Sequence, residues 1–132
     1  MSQYAHRVII KSTDVLSEPF KAECERLIEE LSKDPKTMIL KVFETLRLIA
    51  RQDYLYKNSR SRTMNSKHLC GWACDFVPHT DKGWSWADRD ITGDGTLKDE
   101  REAYYRMREI VKEKFPKLKY LSEWDLSHVE LA

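Results

Sequence analysis

Ser66-Lys-His-Leu-Cys-Gly-Trp-Ala-Cys-Asp75 decides how this chain is read. Its second half, extended to Val77, is dense in apolar and small residues, which predicts a central strand over about Leu69 to Val77. A His and an Asp seven residues apart can meet at one metal ion if a turn or strand end lies between them. Gly71 and Ala73 leave room for close approach of backbone or ligand. A lone His is more often structural than a ligand, so a partner is needed. Asp125-Leu-Ser-His128 supplies one, with a second carboxylate three residues before a second His. Two histidines and a carboxylate form a known zinc set with a fourth position left for water. Zinc lowers the pKa of such water toward about 7, and a nearby carboxylate can take its proton.

The flanking sequence predicts an α+β fold, a small antiparallel sheet with helices packed on it. Phe20, Cys24, Leu27 and Leu31 recur on one face of a helix from Ser17 to about Ser32, with Ser17 as N-cap and Asp34-Pro35 as its end. Met38 to Glu44 reads as a strand and Ala50 to Lys57 as a second helix. Pro78 to Thr96, rich in Gly, Asp and Trp, reads as loop. A long helix from about Leu97 to Lys114 buries Ala103, Met107, Ile110 and Val111, and Leu118 to Leu131 carries a short strand, a turn and a final strand.

At 132 residues the length suits one domain, residues 1–132, and no repeat or low-complexity tract divides it. Charged residues make up 34%, yet 23 basic side chains nearly cancel 22 acidic ones for a net charge of +1. A field that captures nucleic acid or membrane is therefore not expected. No apolar run reaches the roughly 18 residues of a membrane span. The N-terminus lacks the features of a secretory signal, and the odd cysteines (Cys24, Cys70, Cys74) fit reduced thiols made in a cytoplasm. A monomer is the expected state. Basic residues gather between Arg47 and Lys67, and acids between Asp88 and Glu102; most of these side chains read as solvated faces.

Taken together, Ser-x-His-x-x-Gly-x-Ala-x-Asp and the late Asp-x-x-His resemble the zinc peptidoglycan peptidases. These include D-alanyl-D-alanine carboxypeptidases and dipeptidases, and the L-alanyl-D-glutamate peptidases of phage endolysins. The stretch Val42-Phe-Glu-Thr-Leu-Arg47, with Arg51-Gln52 and Leu55-Tyr56, is similar to the family's strand, arginine and following helix. The resemblance covers roughly residues 40–78 and 118–131, and the N-terminal 35 residues add nothing to it. It implies a hedgehog/D-Ala-D-Ala-peptidase-like fold with zinc held by His68, Asp75 and His128. It makes Asp125 the general base, Arg47 the group that binds a substrate carboxylate or the developing oxyanion, and Ser66 a contact to the substrate peptide. Glu130, two residues beyond His128, is placed to orient that ring.

Cys74 reads as a small buried core residue rather than a ligand, and His6 and His79 have no partner by spacing. Trp72, Trp84 and Trp86 suit either a substrate groove or core packing. Counted from Asp90, the residues Asp90, Thr92, Asp94, Gly95 and Leu97 follow the start of an EF-hand calcium loop, but Arg101 stands where the closing Glu belongs. Asp90, Asp94, Asp99 and Glu100 are thus candidate calcium ligands, or an acidic turn that favours the start of a helix.

The implied activity is hydrolysis of an amide bond in the peptidoglycan stem. A phage endolysin made in the host cytoplasm and acting on the cell wall after release fits the missing signal. A D-alanyl-D-alanine carboxypeptidase needs the same zinc chemistry, and a catalytically idle zinc-bearing module would have no use for Asp125. Pocket shape, not sequence, separates the two bonds.

Overall fold

The computed structural model describes residues 8–58, 60, 61, 64, 66–81, 83, 84, 98–120 and 126–132. Three helices, α1 (Phe20–Lys33), α2 (Ile49–Lys57) and α3 (Lys98–Lys114), accompany strands β1 (Leu40–Glu44), β2 (Ala73–Thr80), β3 (Gly83–Trp84), β4 (Leu118–Lys119) and β5 (His128–Leu131). The sheet is antiparallel in the order β1-β2-β5-β4, and β3 pairs with the far end of β2. This is the α+β architecture that the sequence predicts. No helix among the described residues is long and apolar enough to cross a membrane.

The helical periodicities translate directly into packing. Phe20, Cys24, Leu27 and Leu31 are buried along α1, and Ala103, Met107, Ile110 and Val111 along α3, which also buries Tyr104. They meet Leu40, Cys74, Phe76, Leu118 and Val129 of the sheet in one apolar cluster. Removing this surface from water is the main force holding helices to strands.

Three local expectations differ. Ser17 does not cap α1: its N–H donates to the Gly71 carbonyl at 3.0 Å, and Glu18 Oε1 instead accepts from Ala22 N at 2.8 Å. The strand expected from Leu69 begins only at Ala73, because Lys67–Cys70 forms a 3-10 turn. Ser66 Oγ accepts from His68 N at its start, and Gly71 ends it with φ of 75°. A Cβ at Gly71 would lie 3.0 Å from Ser17 N and Oγ, so glycine is needed for both backbone angle and space. The loop expected from Pro78 starts later, since β2 continues to Thr80 and His79 pairs with Trp84. Pro78 is tolerated there because His79 N donates to Ile39 O, turning the proline nitrogen toward the flank that β5 has left beyond Asp75.

The pairing of β1 with β2 is irregular. Val42 pairs with Phe76, but Glu44 pairs with Asp75, so β1 is bulged between Val42 and Glu44. Side chains alternate faces along a strand, and one extra residue reverses which face comes next. Val42 therefore packs on the apolar cluster while Glu44 joins Asp75 on the opposite face.

Candidate metal centre

That opposite face assembles the histidines and carboxylates. Asp75 of β2 and His128 of β5 are register partners, and the 3-10 turn delivers His68 beside them. His68 Nε2 lies 3.2 Å and His128 Nδ1 3.3 Å from the same oxygen, Asp75 Oδ1. The two rings are 5.0 Å apart at 71°. One ligand atom from each of His68, Asp75 and His128 falls within 4.8 Å of the others, and all three residues are buried.

The outward nitrogens are held as well. His68 Nδ1 is 2.7 Å from the Thr45 carbonyl, which can only accept, so Nδ1 carries a proton there and Nε2 is the nitrogen turned toward Asp75. His128 Nε2 is 2.8 Å from Glu130 Oε1, which leaves His128 Nδ1 as the inward atom. The expected orienting role of Glu130 matches this contact. Glu130 in turn meets Lys67 Nζ at 3.1 Å and Lys119 Nζ at 3.7 Å. Burial pushes the Glu130 carboxyl up, but His128 and Lys67 outweigh it and hold the group below the usual carboxylate range. Burial likewise opposes charge on Asp75, and the attraction and hydrogen bonds of His68 and His128 hold its carboxyl well below that range.

Arg47 lies at the edge of this cluster, its Nη2 3.4 Å from Asp75 Oδ2. Its Nε and Nη2 donate to Glu44 Oε1 at 3.2 and 2.8 Å, and Nη1 donates to Gln52 Oε1 at 2.8 Å. Arg51 Nε donates to the other oxygen of Glu44. Glu44 is only 1% exposed, and two guanidiniums are what make a buried carboxylate tolerable there. Gln52 Nε2 donates to Ser61 Oγ at 2.9 Å, which ties α2 to the following segment. Ser66 spends its oxygen as acceptor for His68 N.

Among the other candidates, Cys74 is buried in the apolar cluster, as expected, and Cys70 is exposed; neither belongs to the metal-competent group. Burial and the neighbouring Cys24 push the Cys74 thiol well up, away from the thiolate a metal needs. His79 meets Trp84 at 4.5 Å with the rings tilted by 56°, and Trp84 meets Phe43 edge-on at 5.1 Å. Trp72 packs against the core. Asp125, the expected base, lies outside the described residues, as do His6, Trp86, Asp90, Asp94 and the side chains of Asp99 and Glu100; the calcium expectation falls there too.

Sequence reasoning missed Thr45, Lys67 and the arginine-holding role of Glu44. Thr45 acts through its peptide carbonyl, for which no side-chain pattern exists. Glu44 is three residues before Arg47, a spacing that carries no signal until the bulge turns it inward.

No family model matches the chain, and no curated protein matches it. Among solved structures it is similar to the crystal structure of the L-Ala D-Glu endopeptidase ChiX from Serratia marcescens. The two superpose with a TM-score of 0.61 at 22% identity, over 95% of this chain and 90% of that one. The likeness shows a shared fold spanning nearly the whole length of both.

Proposed function

We propose that this chain is a zinc-dependent hydrolase of the bacterial peptidoglycan stem, cutting the L-alanyl-D-glutamate bond in the manner of a phage endolysin. The observation that carries the reading is the convergence of His68 Nε2 and His128 Nδ1 on Asp75 Oδ1, with both rings fixed from behind by Thr45 and Glu130. Two imidazoles and one carboxylate, all buried, are the donor set that zinc prefers when one position stays open. The fold shared with an L-Ala D-Glu endopeptidase supports the choice of bond.

Zinc in this site would polarise a scissile carbonyl and acidify water. The remaining work falls to the chain. Asp125, three residues before His128, would take the proton of the attacking water and return it to the leaving amine. Arg47 brings positive charge to the Asp75 side, where it pairs with both Asp75 and Glu44 while Arg51 pairs with Glu44. That charge suits a stem carboxylate or the oxygen that gains charge during attack. Fixed guanidiniums need no reorganisation as the reaction proceeds.

Digestion of purified peptidoglycan, followed by mass spectrometry of the fragments, tests the reading. Stem peptides beginning at D-glutamate are expected. Release of terminal D-alanine alone would make the enzyme a carboxypeptidase, and intact peptidoglycan would end the proposal. Elemental analysis should find one zinc per chain, lost in His68→Ala and in His128→Ala. Full retention in both variants would remove these residues from the site.

A further inference from the structure

The N-terminal segment shares no motif with the peptidases, yet it is bolted to the ligand His68 from two sides. Thr45 N donates to the Ile10 carbonyl at 2.7 Å, and the Thr45 hydroxyl lies 3.0 Å from Ile10 O and 2.8 Å from Ser12 O. A hydroxyl has one proton, so the two carbonyls share it. Five residues further on, Ser17 N donates to Gly71 O, and Gly71 closes the turn that carries His68. Lys11 Nζ sits 5.3 Å from the Phe43 ring and 5.6 Å from the Trp84 ring, which pins the segment against β1 and β3. Thr45 itself is fully buried and offers its own carbonyl to His68 Nδ1.

We infer that residues 10–17 form a brace for the metal site and that Thr45 is its positioning residue. The inference rests on the proposed metal role of His68. The segment fixes the Thr45 peptide plane through the N–H on one side and the hydroxyl on the other. The plane's neighbour carbonyl then holds the proton on His68 Nδ1 and keeps Nε2 aimed at Asp75. Loss of the hydroxyl links lets that peptide rock, and the ring loses its fixed orientation. The chain thus completes its site with residues that a motif search passes over.

The test compares full-length parent, Thr45→Val, Thr45→Ser and Lys11→Ala proteins. Valine keeps the branched shape and removes the hydroxyl; serine restores the hydroxyl. Zinc affinity is read by competition with a chromophoric chelator. Direct partners of metal-bound histidines are worth about 10- to 100-fold in affinity, so one link further out about 3- to 10-fold is expected for Thr45→Val. Thr45→Ser should stay within about twofold of the parent on the same scale. In zinc-free protein, the His68 Nδ1–H proton, held by the Thr45 carbonyl, should give a slowly exchanging NMR signal in parent and Thr45→Ser and exchange faster in Thr45→Val.

Lys11→Ala leaves Thr45 intact and serves if Thr45→Val does not fold; it should speed hydrogen exchange at the Thr45 amide. Parent-like affinity and a parent-like Nδ1–H signal in Thr45→Val would overturn the brace, as would equal weakening in Thr45→Ser or unchanged exchange in Lys11→Ala. A parent that binds no zinc would end the proposed function, while the zinc-free Nδ1–H and amide-exchange measurements would still decide the brace.

Discussion

On the helical face of the sheet, Cys74 and Phe76 of β2 and Val129 of β5 meet Phe20, Leu27, Met107 and Phe115 in a cluster without charge. On the other face, Asp75, His128 and Glu130 come from the same two strands, one residue out of step, and meet Glu44, Arg47 and His68. Both faces are buried, but they are held differently. Apolar contacts are non-directional, so a lost methyl group costs area and leaves a cavity. Each polar group opposite has a named partner at a fixed angle, and removing one strands another. Damage to the apolar face should therefore appear as stability, and damage to the polar face as metal binding and rate.

The sharpest separation is expected from Asp125→Asn. Asparagine is nearly isosteric but cannot accept a proton, so the hydrolysis rate should fall by about 10²–10⁴ while zinc content and melting temperature hold. Steady-state rates beside elemental analysis check it; a variant as active as the parent would move the role of base to another residue. From the other face, Leu27→Ala should cost about 2–5 kcal/mol of unfolding free energy, read by denaturant titration, with zinc affinity retained in the folded protein. Equal losses of stability and zinc would mean that the two faces fold as one tightly coupled unit.

A smaller effect is expected for Glu130→Gln, which keeps size but weakens the hold on His128 Nε2. Zinc affinity should drop about 10- to 100-fold, as for other partners of metal-bound histidines. Unchanged affinity would show that β5 alone orients the ring.

The smallest effect lies away from both faces. Asp34 ends α1 and reaches Arg106 of α3 at 2.9 Å; burial pushes its carboxyl up, and the hydrogen bond and charge of Arg106, together with the backbone N–H groups of Lys36 and Thr37, outweigh it to hold the group low. A carboxyl with a depressed folded pKa stabilises above its unfolded value of about 3.9, and that contribution is lost as pH falls through the lower folded value. The gap in melting temperature between parent and Asp34→Asn should thus be open at pH 7 and close in acid below about pH 4. A gap that stays constant through that window would leave the pair without a role in pH stability.

Much of this comparison was legible in the chain itself. The spacing of Phe20, Cys24, Leu27 and Leu31 specified the buried face of α1, because a helix turns every 3.6 residues whatever surrounds it. His68, Asp75 and His128 were readable as a group through the resemblance of their two motifs to the zinc peptidases, and Glu130 was readable as the partner of His128. What depended on the tertiary structure was backbone geometry. The bulge that turns Glu44 toward Asp75, the 3-10 turn that Gly71 closes against Ser17, and the Thr45 carbonyl behind His68 all arise where distant segments meet. Every residue but proline carries the same N–H and C=O, so a peptide group that orients a ligand leaves no mark in the sequence; only its position among neighbours, set by long-range packing, gives it that task.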